Sequence, residues 1–163
     1  MNSSPESPEH AGWLAEARLL ILAAQREGSR QLGASLREVG LTTAQAEVLE
    51  VLHAAGELTL AELGRRLVCE AGSPSRLVDS LVRAELVTRT PSAQDRRTVL
   101  LALAPEGAAR LARLGAAGAP LTAFMAERLD PEQARTLVDL LGRLVRDTPG
   151  GLAIARRAAD HTG

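Results

Sequence analysis

Residues 58–111 read LTLAELGRRLVCEAGSPSRLVDSLVRAELVTRTPSAQDRRTVLLALAPEGAARL, and this stretch decides the fold. Near its start, Thr59 and Glu62 form a capping box, in which the hydroxyl and the carboxylate satisfy unpaired N–H groups at a helix start. Farther along, Ser73 precedes Pro74, which predicts a second helix start because Ser caps helices and Pro suits their first position. Two short helices joined by a tight connection predict a helix-turn-helix unit.

The hydrophobic period changes from helical to strand-like after the second of these helices. Residues 86–90 and 98–103 are rich in Leu, Val and Thr, which predicts two strands, and the polar residues between them predict their turn. Upstream, Thr42 and Gln45 form another capping box and open a further helix. A hairpin directly after a helix-turn-helix is a wing, so residues 41–104 are predicted to form a winged helix-turn-helix lobe with a two-stranded wing.

Helical patterns flank this lobe on both sides. Apolar residues recur at helical spacing over 13–39, so residues 1–40 are interpreted as a polar leader followed by one long helix. Residues 105–147 show two more helical patterns, the second capped by Asp130, whereas 148–163 are expected to be a tail. A small lobe needs neither set of flanking helices for its own core. We therefore expect both to be dimerisation helices that bury their apolar stripes against a second copy of the chain.

The composition favours helices and limits how the protein could bind a polyanion. Of the 163 residues, 45% are hydrophobic and only 1% aromatic. The abundant Ala and Leu favour helix over strand, so the predicted fold class is mainly α. All 19 basic residues are Arg, and the formal net charge is −1. Any nucleic acid would therefore be recognised by locally placed guanidinium groups rather than by a broad positive field.

The compartment is indicated by cysteine usage and by the start of the chain. The single cysteine, Cys69, cannot form an internal disulfide, and nothing else indicates an oxidising compartment. The N-terminus is polar and acidic, unlike a signal peptide. No apolar run approaches the roughly 20 residues needed to cross a bilayer. We expect a cytoplasmic protein that does not enter the membrane.

Three short motifs resemble the MarR family of bacterial transcription regulators. They are SRLVD at 75–79 in the second helix of the pair, DRR at 95–97 in the wing, and PEG at 105–107 opening the next helix. The order of helices resembles the family over nearly the whole chain. The resemblance implies a winged helix-turn-helix homodimer with interleaved N- and C-terminal helices, which binds a palindromic operator. It also implies that a small effector, often phenolic or otherwise aromatic, releases the DNA.

The start of the second helix carries the first predicted DNA-binding residues. In a helix-turn-helix the N-terminal residues of this helix face base edges and phosphates in the major groove. Ser73, Ser75 and Arg76 occupy that end, where unpaired N–H groups and the helix dipole also favour phosphate. Arg76 suits a guanine or a phosphate, whereas Ser73 is equally well explained as a helix cap alone.

The wing carries the second predicted set, Asp95, Arg96 and Arg97. An Arg at a hairpin tip can enter the narrow, electronegative minor groove of A·T-rich DNA. The resemblance implies that Arg97 has this role and that Asp95 pairs with it and fixes its direction. Arg96 would add a phosphate contact. Further candidates for phosphate contacts are Arg65, Arg66, Arg83 and Arg89.

Candidate regulatory residues are few. Trp13 and His53 are candidates for an effector pocket, although a Trp on an apolar helix face is more often part of the core. Cys69 lies between the two helices of the helix-turn-helix. Its oxidation could therefore displace the second of them, the reading helix that begins at Ser73 and Pro74. This gives a redox-sensing regulator as an alternative, while a buried, inert cysteine is the simpler interpretation.

The chain departs from the family pattern at three places. Ala104 stands where a Thr usually caps the helix after the wing. Glu85 stands where a Gly usually ends the reading helix. Gly115, Gly118 and Pro120 interrupt the long helix that follows, which predicts a kink and affects the geometry of the dimer arms.

Other classes of protein receive little support. Three His, one Cys and scattered carboxylates form no triad, phosphate loop or metal-ligand spacing, so we predict neither an enzyme nor a cofactor or metal site. A helical interaction module that has lost DNA binding would have no reason to keep Arg76, Asp95 and Arg97 together. Repressor is preferred over activator, but the sequence leaves the sign of regulation, the operator, the effector and the regulated genes open.

Overall fold

The computed structural model describes residues 7–68 and 73–160, except the side chains of 116–121, and these form seven helices and one small sheet. The predicted mainly α fold with a winged helix-turn-helix is confirmed. No helix in the described ranges is long and apolar enough to span a membrane. In chain order the elements are α1 (Pro8–Glu38), α2 (Thr43–Ala55), β1 (Leu58–Thr59), α3 (Leu60–Gly64), α4 (Pro74–Arg83), β2 (Val87–Pro91), β3 (Val99–Leu103), α5 (Pro105–Ala126), α6 (Pro131–Val145) and α7 (Pro149–Asp160).

The wing is the antiparallel hairpin of β2 and β3, which begins with Val87 opposite Leu103. A third strand, β1, lies on the other side of β3, with Leu58 opposite Leu101, so the sheet order is β1-β3-β2. The sequence pattern did not indicate β1, because two residues are too few to show strand alternation. Its second residue, Thr59, also caps α3.

The core of the lobe is centred on α2. Val48, Leu49, Val51 and Leu52 are at most 1% exposed. This helix packs against α4, α5, α7 and β3, so it joins the helix-turn-helix to the flanking helices. Burial of each such side chain contributes about 1.5–3 kcal/mol relative to exposure. The other large side chains with almost no exposure in the described ranges are Leu63, Val78, Leu81, Leu86, Val87 and Leu101.

Three of the predicted helix starts, at Thr42, Thr59 and Asp130, are confirmed by their hydrogen bonds. Thr42 and Asp130 each accept an N–H bond from the third residue of the following helix, and the side chain of that residue bonds back. At α3, the carboxylate of Glu62 accepts from the Thr59 hydroxyl at 2.7 Å and from the Thr59 N–H at 2.8 Å. These two bonds lower the pKa of the Glu62 carboxyl below its usual value.

The long first helix starts earlier than the sequence pattern indicated. The hydroxyl of Ser7 accepts a hydrogen bond from the His10 N–H at 3.2 Å, and Pro8 occupies the first helical position. Residues 8–10, expected to belong to the leader, are therefore helical. At the other end, Gly40 adopts φ 66°, the left-handed conformation typical of a Gly that follows a helix.

The prediction of a tail over 148–163 is wrong for Pro149–Asp160, which form α7. The hydroxyl of Thr148 accepts a hydrogen bond from the Gly151 N–H at 3.2 Å and so caps this helix. The start of α7 lies so close to α6 that a Cβ on Gly151 would overlap the carbonyl oxygen of Val145. The Gly residues that resembled a tail are therefore the residues that allow a tight corner between two helices.

The departures from the family pattern have local solutions. Glu85 adopts φ 58°, and the N–H groups of Glu85 and Leu86 bond to carbonyl oxygens of the last turn of α4. The end of α4 therefore has the left-handed conformation that Gly usually adopts there, and the side chain of Glu85 makes this conformation less favourable. Ala104 occupies the N-cap of α5 without a side-chain bond, while its N–H bonds to the carbonyl oxygen of Leu86 at 3.0 Å.

The fifth helix begins against the sheet and continues to Ala126 as one element. A Cβ on Gly107 would overlap the carbonyl oxygen of Leu86, which explains why the PEG motif ends in Gly. The kink predicted near Pro120 involves side chains outside the described part of the chain.

Candidate nucleic-acid interface

The start of α4 is exposed while its inner face is anchored in the core. Ser73, Ser75 and Arg76 are exposed, whereas Val78 and Leu81 are fully buried. Ser73 occupies the N-cap position, but its side chain makes no capping bond. The three predicted residues therefore lie together at the outer end of a helix that the core holds in place.

An ion pair joins α4 to the wing. The Nη2 atom of Arg89 on β2 lies 2.6 Å from Oδ1 of Asp79 on α4. The guanidinium is thus engaged within the lobe, and the phosphate contact suggested for Arg89 stays a prediction. The pair connects the reading helix to the hairpin.

The turn of the wing is ordered by its own polar side chains. The carboxylate of Asp95 accepts hydrogen bonds from the backbone N–H of Arg97 at 2.9 Å and from the Thr98 hydroxyl at 3.1 Å. The buried hydroxyl of Ser92 accepts from the Gln94 N–H at 3.2 Å. Ser92 and Thr98 were not identified from the sequence, although Asp and Ser commonly order turns in this way.

The pairing expected between Asp95 and the guanidinium of Arg97 is not formed within the described residues. Asp95 directs Arg97 through the backbone N–H instead. Arg96 and Arg97 are exposed, and neither makes an ion pair with any residue in the described ranges. The wing therefore presents two guanidinium groups from a turn whose backbone is fixed.

The remaining Arg candidates divide into two groups. Arg66 makes two bonds to the carboxylate of Asp160 on α7, at 2.8 and 3.0 Å. This carboxylate raises the pKa of the guanidinium above its usual value; the side chain is engaged within the protein, and the phosphate contact suggested for Arg66 stays a prediction. Arg65 and Arg83 are exposed and stay candidates.

A cleft of about 620 Å³ lies between the lobe and the flanking helices, with walls from α1, α2, α5 and α7. His53 lines this cleft, as do Glu50 and Arg157, which pair with each other at 3.1 Å. Trp13 does not line it and is 60% exposed, so the structure does not bring the two predicted pocket residues together. The apolar wall consists of Leu32, Ala54, Ala108, Leu111, Ala112 and Leu114.

Two flanking helices present apolar side chains that the lobe does not cover. On α1 these side chains are between 42% and 60% exposed, and Val138 on α6 is 72% exposed. Several large apolar side chains at this exposure on one helix mark an interaction surface. The exposed apolar side chains are Trp13, Leu14, Leu19, Leu20, Ile21 and Leu22 on α1, and Val138, Leu140, Leu141 and Leu144 on α6.

Regulatory chemistry at Cys69 falls outside the described residues. Over 7–68 and 73–160, no three His, Cys, Asp or Glu side chains converge as metal ligands.

Comparison with known proteins identifies the class of this chain. Residues 39–98, from the end of α1 to the turn of the wing, match the sequence model described as the MarR family. The fold matches that of a cysteine-to-serine variant of MarR from Escherichia coli, at a TM-score of 0.62 and 30% sequence identity, over 77% of this chain and 93% of the other. The chain belongs to the MarR family.

The same E. coli variant complexed with operator DNA matches this MarR-family chain with a TM-score of 0.72 and 28% identity, over 81% of this chain and 95% of that one. The curated MarR of Salmonella typhimurium is 34% identical over 92 residues, which are 56% of this chain and 63% of that protein. The chain thus matches somewhat less than two thirds of that curated relative. The curated proteins that match this MarR-family chain include an HTH-type transcriptional regulator of Bacillus subtilis, and the E. coli variant has been solved with operator DNA bound.

Proposed function

We propose that the protein is a homodimeric repressor that binds an inverted-repeat operator and releases it when a small molecule occupies the cleft. The observation that carries this proposal is the joint exposure of Arg76 at the start of α4 and of Arg96 and Arg97 on the wing. A helix start suits the major groove, and an Arg on a hairpin suits the minor groove beside it.

The dimer is supported by the uncovered apolar side chains of α1 and α6. Six exposed apolar side chains on α1 would be costly to leave in water, and a second copy offers the same surface in a two-fold arrangement. Two lobes related by a two-fold axis would read two half-sites of opposite orientation, about ten base pairs apart. This geometry makes the operator an inverted repeat.

Repression follows if the operator overlaps a promoter. A dimer that covers two half-sites would occlude a stretch of about 20 base pairs, which excludes polymerase from the same DNA. Chromosomal DNA as the ligand places the protein in the cytoplasm.

Effector control is assigned to the cleft beside His53. The cleft lies between the lobe and the dimer helices, so a ligand there could favour one arrangement of the two over the other. Its largely apolar wall, with Glu50, His53 and Arg157 as polar groups, suits a small, mainly apolar molecule with one or two polar substituents.

A mobility-shift titration against the DNA upstream of the protein's own gene tests the proposal. We expect one discrete complex with the native protein and a loss of about 1–3 kcal/mol in binding free energy for Arg97→Ala, since a specific Arg contact is removed. Arg143→Ala is the matched control, because Arg143 is an exposed Arg on α6 that pairs with Asp139. Equal affinity of the native and Arg97→Ala proteins would remove the wing from the proposal.

A further inference from the structure

The last helix, α7, is attached to the lobe that carries the DNA-reading elements. It turns back after α6 and packs against α2, with Ala153 only 1% exposed. Beyond this apolar contact, three of its polar side chains reach the lobe, and all three connections end near one short segment of chain, residues 65–68. This segment follows α3 and leads into the connection to the reading helix α4.

The first connection is a two-bond ion pair at the end of α7. Both carboxylate oxygens of Asp160 accept from Arg66, at 2.8 and 3.0 Å. The two side chains are 15% and 18% exposed, so the pair is largely shielded from solvent. A bidentate, shielded pair fixes direction as well as distance, unlike the exposed pairs found on helix surfaces.

The second connection passes through a buried carboxylate. Arg157 donates to Oε1 of Glu47 at 3.2 Å, and the same oxygen accepts the backbone N–H of Val68 at 2.7 Å. The side chain of Glu47 is 7% exposed. Arg157 therefore supports the group that holds the backbone at the end of this segment.

The third connection is made directly to the backbone. The guanidinium of Arg156 donates to the carbonyl oxygen of Arg65 at 3.2 Å. This bond adds to the packing of α3 against α2, α4 and the sheet, on which α3 depends because a helix of five residues is not stable without tertiary contacts.

We propose that Arg157 and Asp160 are positioning residues for DNA recognition, and that α7 fixes residues 65–68 so that α4 is held in the orientation that fits the operator. This inference rests on the proposed operator binding. The two residues need not touch DNA; they act through Glu47 and Arg66. In a helix-turn-helix the first helix and the turn set the angle at which the second helix enters the groove. Contacts that restrain the end of the first helix therefore also restrain the orientation of α4.

The change Asp160→Asn separates this role from direct electrostatics. It removes a negative charge, so an effect of charge alone would leave binding to the DNA polyanion unchanged or make it tighter. Positioning predicts the opposite sign, an operator Kd raised by about fivefold or more, which is the lower range of coupling between sites. Arg157→Gln is expected to act in the same direction.

The experiment is a set of mobility-shift titrations on the operator fragment that the native protein binds. Asp139→Asn is the matched control, because it makes the same chemical change in an ion pair on α6. The double variant Arg66→Asp with Asp160→Arg restores a pair of reversed sense and is expected to recover most of the affinity lost in Asp160→Asn. Hydrogen exchange at the Val68 N–H is expected to quicken in Asp160→Asn and in Arg157→Gln.

The outcomes distinguish this inference from the proposed function. Native protein that selects no DNA would contradict both. If the native protein binds and Asp160→Asn binds equally well or more tightly, the positioning role is overturned while the operator proposal stands. A fall in melting temperature with unchanged operator affinity also overturns it, since α7 would then contribute to stability alone.

Discussion

Asp95 illustrates at the scale of one residue how a short motif acts. Its carboxylate bonds to the backbone N–H of Arg97 and to the hydroxyl of Thr98, so it orders the chain that carries the Arg side chains. Both bonds require an acceptor oxygen at this position, but only an ion pair with the Arg97 guanidinium would require a negative charge.

Substitution of Asp95 separates these two roles. Asp95→Ala is expected to weaken operator binding by about 1–2 kcal/mol, because the hydrogen bonds that order the wing are lost. Asp95→Asn keeps an acceptor oxygen for the Arg97 N–H and is expected to retain most of the affinity. Mobility-shift titrations of both variants provide the measurement. If Asn is as damaging as Ala, one acceptor oxygen is not enough, and the second oxygen or the charge of the carboxylate is required as well.

At the scale of elements, capping chemistry was readable from the sequence wherever a polar residue had a reciprocal partner three positions on. Thr42, Thr59 and Asp130 each have such a partner and start helices as predicted. The last helix lacked that signal: Thr148 precedes Pro149, but the following Gly residues suggested a tail. These Gly residues permit a tight corner because α6 ends close to the start of α7. A local sequence pattern does not indicate that proximity.

The same limit applies to side-chain partners. The pattern placed Ser73, Ser75 and Arg76 at one exposed helix end, and this agrees with the structure. It did not distinguish Arg66, which α7 engages from 94 positions away, from Arg65, its exposed neighbour. Long-range ion pairs depend on the packing of whole elements, so single charged residues in a sequence carry little information about them.

The corner between α6 and α7 gives a prediction at this scale. Gly151→Ala is expected to destabilise the protein by about 1–3 kcal/mol, because the added Cβ meets the carbonyl oxygen of Val145 and forces α7 to shift. Gly142→Ala is the matched control: nothing lies within 4 Å of a Cβ there, and Ala is the better helix former, so a gain of about 0.5–1 kcal/mol is expected. Urea unfolding curves of both variants measure these changes. Equal stabilities would mean that the corner is looser than described.

At the scale of the whole molecule, the lobe has a closed core while α1 and α6 keep large apolar side chains exposed, which is the distribution expected of one half of a dimer. Leu20 on α1, which is 60% exposed, is suited to a test. Leu20→Glu would bury an unpaired charge in each half of the interface, at about 3 kcal/mol or more, and is expected to give a folded monomer. Sedimentation velocity measures this, with Val99→Glu on the wing as the control. A dimer that persists in Leu20→Glu would place the interface elsewhere.

Selection from random-sequence DNA tests the central claim most directly, because it requires no knowledge of the natural operator. The account predicts enrichment of one inverted repeat with half-sites about ten base pairs apart, bound by two chains and weakened by Arg97→Ala. Enrichment of no sequence, or of an unrepeated site bound by a single chain, would contradict it.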